Sequence, residues 1–332
     1  MRLLITGGVG FIGSNLAAYF LKKGHLVTVF DNFSRKGTKI NAAWLKKEYP
    51  QVRIVEADVR NFLKIKKEVV KTEVIFHLAG QVAVTTSIEN PREDFESNLS
   101  GSFNLLEAAR KAPQLKILIY ASTNKVYGSF SERIIEKKKR YLDLAHKEGI
   151  NENQPLDFCS PYGCSKGSAD QYVKDYARIY GLPTVVFRQS CIYGERQFGV
   201  EDQGWVAHFV VQCLKNKPIT IYGSGKQIRD ILYIDDLIKA YLSAIEKINK
   251  IKGGVFNIGG GINNTLSLLE LIQKLEEKLN KKINLNFQKE RPGDQKVYIS
   301  NIKKAKKMLN WQPKIGIDQG LDKLIDWVKT LF

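Results

Sequence analysis

Short β-branched runs alternate with amphipathic segments through the first half of the chain. Strands are predicted at 2–6, 26–30, 52–56, 74–78, 116–121 and 184–187, each a nearly unbroken apolar run. Helices are predicted at 11–23, ended by Gly24, and at 95–111 and 162–180. In the 95–111 segment Leu99, Phe103, Leu106 and Ala109 fall on one face. Continuous apolar strands separated by helices imply right-handed crossovers and a parallel sheet covered on both faces. The expected fold class is α/β: a Rossmann-type doubly wound parallel sheet with a smaller mixed α/β C-terminal lobe.

After Arg188 this rhythm breaks into glycine-punctuated loops, with helices predicted at 205–214, 235–248, 267–279, 302–309 and 318–331. The expected division is 1–188 plus 228–258 for a nucleotide lobe, and 189–227 plus 259–332 for a substrate lobe.

Composition narrows the class. The chain has 332 residues, and 52 Lys+Arg against 34 Asp+Glu give a formal charge of +18. That surplus suits a polyanionic partner. However, Lys303, Lys304, Lys306 and Lys307 alternate with Ile302, Ala305, Met308 and Leu309, as on a helix with one buried face. Interleaved basic and aromatic residues of the RNA-binding kind are absent, so no nucleic-acid partner is expected. No run approaches a membrane span and no secretory leader is legible, so the expected location is the cytoplasm. The four cysteines lack zinc-ligand spacing, and no metal is expected.

Where the first strand meets the first helix the chain reads Thr6-Gly7-Gly8-Val9-Gly10-Phe11-Ile12-Gly13. It fits G-x-G-x-x-G through Gly8, Gly10 and Gly13, and G-x-x-G-x-x-G through Gly7, Gly10 and Gly13. Glycine lets the backbone turn tightly and approach a pyrophosphate resting on the helix N-terminus, at Phe11 and Ile12. Asp31, at the end of the second strand, stands where a carboxylate takes the adenosine ribose hydroxyls. It favours NAD by repelling a 2′-phosphate, although Arg35 keeps NADP open. Asp58 and Val59 are expected near the adenine, and Leu78, Ala79 and Gly80 beneath the cofactor. His77 reads as a packed strand residue.

Tyr162 and Lys166 form a Y-x-x-x-K pair at a helix start, which puts phenol and ammonium on one face. A tyrosine is a poor base at neutral pH, and a neighbouring ammonium and a cationic nicotinamide lower its pKa. Thr123 stands at the end of the fifth strand, where its hydroxyl can share a substrate proton with Tyr162.

Together these residues resemble the extended short-chain dehydrogenase/reductase family, whose members act on nucleotide sugars. The resemblance spans nearly the whole chain and includes 227–236 (QIRDILYIDD) and 291–295 (RPGDQ). It implies a Thr123–Tyr162–Lys166 triad, and cofactor contacts from Asn32 and Ser34 as well as the residues above. It further implies substrate contacts from Gln81, Asn124 and Ser190, diphosphate contacts from Arg229 and Arg291, and a homodimer or homotetramer. The stretches 31–37, 77–91, 122–128, 160–172 and 203–205, with an insertion at 129–153, resemble the branch that inverts C2 of CDP-linked hexoses. The implied substrate is a CDP-linked hexose, CDP-paratose going to CDP-tyvelose, with CDP-glucose a further candidate. A UDP-sugar 4-epimerase is the alternative. In the insertion, 137–140 (KKKR) reads as a solvated face. The dehydratases of this family carry Asp-Glu directly after the threonine; here Asn124 and Lys125 cannot supply that paired acid–base chemistry.

Overall fold

The computed structural model describes residues 1–129, 133–291 and 293–331. Part of the insertion (130–132) and Pro292 of the RPGDQ stretch lie outside the described residues. In chain order the first lobe contains β1 (Arg2–Thr6), α1 (Phe11–Lys22), β2 (Leu26–Asp31), α2 (Thr38–Glu48), β3 (Arg53–Glu56), α3 (Phe62–Val69) and β4 (Val74–His77). It continues with α4 (Val84–Glu89), α5 (Pro91–Phe95), a π-helical turn (Glu96–Ser100), α6 (Gly101–Ala109) and β5 (Ile117–Thr123). The hairpin β6 (Ile134–Glu136) and β7 (Tyr141–Asp143) precedes α7 (Pro161–Tyr180) and β8 (Thr184–Gln189).

The remaining elements are β9 (Cys191–Tyr193), α8 (Trp205–Leu214), β10 (Ile219–Tyr222), β11 (Ile228–Tyr233), α9 (Ile234–Ile251), β12 (Val255–Ile258) and β13 (Thr265–Ser267). The chain closes with α10 (Leu268–Leu279), β14 (Leu285–Gln288), β15 (Val297–Tyr298), α11 (Lys303–Leu309) and α12 (Ile317–Lys329).

Seven parallel strands form the main sheet in the order β12-β8-β5-β4-β1-β2-β3. Both faces are covered: Ile5, Val29 and Phe76 enter one apolar core, and Leu4, Phe30 and Ile75 the other. Strand order reverses between β1 and β4, and a doubly wound sheet opens a crevice beyond the strand ends at such a point. The glycine loop follows β1 there, and 78–80 follow β4. No helix among the described residues is long and apolar enough to cross a membrane.

Three expectations are corrected. The 95–111 helix is broken by the π-helical turn at 96–100. Its extra residue rotates the following turns, so Leu105, Leu106 and Ala109 are buried while Phe103 is 43% exposed. The return to the nucleotide lobe comes one strand later than 228. β11 pairs with β9, β13 and β15 in the smaller sheet, and only α9 and β12 join the main one. Lastly, the basic run at 137–140 is only partly solvated: Arg140 forms a two-pronged ion pair with Glu270, at 2.7 Å for each prong. Glu270 also completes the capping box of α10.

Candidate active site

A cleft of about 670 Å³ runs between the lobes. It is lined by every residue expected at the cofactor and reacting ends: Gly7, Gly10, Phe11, Ile12, Gly13, Asp31, Asn32, Ser34, Arg35, Asp58, Val59, Leu78, Ala79, Gly80, Thr123, Tyr162 and Lys166. Three of the expected substrate contacts, Gln81, Asn124 and Ser190, line it too.

At one end the glycines are sterically required. Gly7 has φ +67°, and a Cβ there would sit 2.8 Å from the Ala79 nitrogen. A Cβ on Gly13 would strike the Gly7 carbonyl. Gly10 precedes α1 as its N-cap and offers no side-chain cap, and the first turn holds no acidic residue, which leaves amides free to take an anion. Asp31 accepts from the Val9 amide at 3.2 Å and the Phe33 amide at 2.9 Å. Burial pushes its carboxyl up, against the pull of those amides. Asn32 donates to Asp58 at 2.8 Å, and Ser34 N–H donates to Asn32 Oδ1 at 3.1 Å. This cradle of close backbone, free helix amides and a terminal carboxylate fits a dinucleotide.

At the other end Ser160 caps α7, accepting from Gly163 N–H at 3.0 Å, and Pro161 opens the helix. Tyr162 and Lys166 therefore lie in its first turns, both buried. Lys166 Nζ donates to the Ala121 carbonyl at 2.6 Å and lies 4.3 Å from the Tyr120 ring centroid. Burial pushes Lys166 down to about 7, opposed by Asp94 and Asp170.

The Tyr162 phenol departs from expectation. Burial pushes it up to about 12, and the hydrogen bond with Thr123 and the Arg35 charge only partly offset this. Desolvation of the phenolate outweighs the one cation acting on it, Arg35. His77, held between Thr6 Oγ1 at 2.7 Å and Ser102 Oγ at 2.9 Å, is a packed strand residue.

Two expected contacts fall outside the cleft lining. Arg229 is buried against Asp294, 2.5 Å away, and Arg291 pairs with Asp202 at 2.9 Å while stacking over Tyr222. Carboxylates from neighbouring loops take up both guanidinium groups. The cleft-lining residues that sequence reasoning did not assign include Gln189, at the end of β8, Arg196, Phe198 and Gln203 in the loops before α8, and Trp205 at its start. A signal existed for the last two: Gly204, with φ +78°, starts α8 between them. Lys125 is not among the lining residues and donates to the Gly293 carbonyl at 3.1 Å.

Comparison with known proteins agrees with this geometry. The GDP-mannose 4,6 dehydratase family matches residues 4–324. The CDP-paratose 2-epimerase of Salmonella typhi is 47% identical, with all of both chains covered. The UDP-glucuronate 4-epimerase of Thermodesulfobacterium geofontis is 32% identical, over 98% of this chain and 95% of its own. The crystal structure of UDP-glucuronic acid 4-epimerase from Bacillus cereus, in complex with UDP-glucuronic acid and NAD, superposes with a TM-score of 0.87 at 31% identity, covering all of both chains. The chain belongs to this family of nucleotide-sugar epimerases and dehydratases, within the extended short-chain dehydrogenases/reductases.

Proposed function

We propose that the protein is an NAD-dependent epimerase inverting C2 of a CDP-linked hexose, CDP-paratose to CDP-tyvelose. The observation that carries this reading is the acid–base content of the cleft. Tyr162 stands at the reacting end with Thr123 and Lys166, while the lining carboxylates are Asp31, Asp58 and Glu93. Asp31 and Asp58 belong to the adenosine end. A single proton-transfer group suffices when the inverted centre is reset by hydride, whereas elimination of water needs an acid and a base together. The full-length relationship to a CDP-paratose 2-epimerase supports the choice of carbon and nucleotide over a UDP-sugar 4-epimerase.

Gly7, Gly10, Phe11, Ile12, Gly13 and Asp31 would hold the dinucleotide, with Asn32, Ser34, Arg35, Asp58, Val59 and 78–80 around it. The chemistry NAD supplies when bound is reversible uptake of a hydride from C2, and its positive charge adds the pull on the phenol that the protein alone lacks. Tyr162 takes the C2 hydroxyl proton as the 2-keto sugar forms and returns it after the sugar has turned over. Thr123 aligns that hydroxyl. Lys166 supplies positive charge beside the phenolate. Arg229 and Arg291 hold the diphosphate in this reading by exchanging their carboxylate partners for it, which anchors the substrate while its sugar swings. Gln81, Asn124 and Ser190 shape the sugar pocket.

Purified protein is expected to carry NAD and to convert CDP-paratose without added cofactor. Substrate deuterated at C2 should keep its label there; loss of the label to solvent overturns hydride return. Tyr162→Phe should lower turnover by roughly a thousandfold or more while leaving bound NAD in place.

A homodimer or homotetramer completes the reading. Phe103 and Tyr172 lie exposed on α6 and α7 with ring centroids 5.9 Å apart, and Ile179 and Tyr180 are exposed further along α7. Such a cluster suits burial against a second copy, and light scattering on Tyr172→Glu tests it. The four unpaired cysteines suit a reducing compartment such as the cytoplasm.

A further inference from the structure

Asp94, on α5, has no exposed surface. Its hydrogen-bond partners are neutral: Ser165 Oγ donates to Oδ2, and Asn98 Nδ2 donates to Oδ1 at 3.0 Å. Burial pushes the Asp94 carboxyl up, opposed by the Ser165 hydroxyl, the Lys166 charge and the Asn98 amide, so a charge there needs a reason. The π-helical turn brings Asn98 round so that its amide also reaches Ser165 Oγ, at 3.1 Å. The trio sits directly behind the cleft wall, where a Cβ on Gly80 would strike Asn98 Oδ1. Ser165 is the residue before Lys166 on α7. The proton-transfer steps described above give Asp94 no part.

We propose that Asp94 is a positioning residue for the Tyr162–Lys166 pair, its carboxylate, fixed by Ser165 and Asn98, keeping the buried Lys166 ammonium charged and in place. The inference rests on the acid–base reading of that pair. Lys166 is buried deeply enough to be driven toward neutrality, and Asp94 and Asp170 are the carboxylates that oppose this. Asp170 is shared with Arg188, at 2.8 and 2.9 Å, and its effect on Lys166 is the smaller of the two. Asp94, which has no cationic hydrogen-bond partner among the described residues, has the larger effect.

The other groups facing the pair do not substitute for it. β4 presents the neutral His77 and β5 the Tyr120 ring. α4 carries Glu89 on its exposed side, and α5 adds the exposed Glu93. Arg92 and Glu96 pair with each other at 2.9 Å. On Tyr162 the Asp94 charge pushes the phenol up and the Arg35 charge pulls it down.

The test is an NMR titration of the holoenzyme carrying 13Cε-labelled lysine, with Lys166 assigned by its loss in Lys166→Arg. Asp94→Asn should lower the Lys166 midpoint by roughly one pH unit. The limb of the kcat profile that reports lysine deprotonation should move acidward by the same amount. Asp94→Glu should stay close to wild type. If Asp94→Asn does not fold, Asp94→Ser removes the same charge with less bulk and is expected to give the same shift. An unchanged midpoint and an unchanged pH profile, with only the melting temperature lowered, would overturn the proposal and leave Asp94 a packing residue. The titration uses no sugar nucleotide, so its result is independent of the product assay that tests C2 inversion.

Discussion

Arg35 Nη2 donates to Gln203 Oε1 at 2.8 Å, joining the loop after β2 to the loop that leads into α8. Both residues line the cleft, so the bond crosses from one lobe to the other over its dinucleotide end. The same loops are held together by Asn41, donating to the Arg196 carbonyl at 3.3 Å, and by Phe198, which lies so close to Gly37 that a Cβ there would strike its ring. Asn15 adds a bond to the Glu195 carbonyl at 3.0 Å. An epimerase that returns its own hydride gains from such a clasp, because releasing the reduced cofactor would strand the ketone. Gln203→Ala and Arg35→Ala are expected to speed loss of NAD by roughly tenfold, the value of one hydrogen bond to a charged group. Dialysis followed by assay with and without added NAD checks this, and added NAD should restore the rate of the Gln203 variant.

Asn124 and Lys125 occupy the positions of the dehydratase acid–base pair but have different partners. Asn124 lines the cleft and lies 3.5 Å from Gln295, whereas Lys125 reaches Gly293 and Asp294. The double change Asn124→Asp, Lys125→Glu is therefore expected to yield no dehydratase activity. The new glutamate would face Asp294 rather than a sugar, and the like charges should lower the melting temperature. Product NMR and thermal unfolding report the two effects.

Beneath the triad, Arg188 and Asp170 form a buried pair, with Ser122 Oγ donating to Asp170 at 2.8 Å and Arg188 donating to Tyr127 Oη at 3.1 Å. Removing one member leaves the other charge unpaired. Arg188→Met is expected to cost about 3–5 kcal/mol of stability. The double variant Arg188→Met, Asp170→Leu should recover much of that loss. Denaturant unfolding of both variants measures it.

Asp58 supplies a pH dependence. Burial raises its carboxyl, but hydrogen bonds from Arg60 and Asn32 outweigh that and hold it at about 2, below the ordinary 3.8. A depressed acid contributes its full stability above the unfolded value and loses it as the pH falls through the folded one. The contribution should thus be complete above about pH 4 and decline toward pH 2. Asp58→Asn is expected to narrow the gap in melting temperature between pH 6 and pH 3 relative to wild type.

Six of the seven main-sheet strands were legible as apolar runs, Val74–His77, buried throughout, being one example; β12 (Val255–Ile258) was not marked, and the edge strand β3 is only half-buried. α2 was not, since its buried face includes Thr38 and Asn41 beside Ala42 and Leu45 and carries no clean apolar period. The second-lobe strands also escaped. β15 has two residues and β9 three, too short for alternation to register, and both are defined by partners far along the chain. Arg229 and Arg291 were legible as residue types but not as contacts, because Asp294 and Asp202 come beside them only through folding.

By itself the sequence determined the chemistry available: a glycine turn into an uncapped helix, a carboxylate closing the second strand, and a tyrosine and lysine one helical turn apart. These are local matters of spacing and backbone freedom. Tertiary structure alone decided how strongly each group is charged and what stands behind it. Burial sets the Tyr162 phenol near 12 and Lys166 near 7. Asp94 and Asp170 reach Lys166 from different places, and Arg35 crosses to Gln203 over 168 residues of chain. Desolvation and long-range electrostatics depend on what surrounds a group in three dimensions, which residue spacing does not encode.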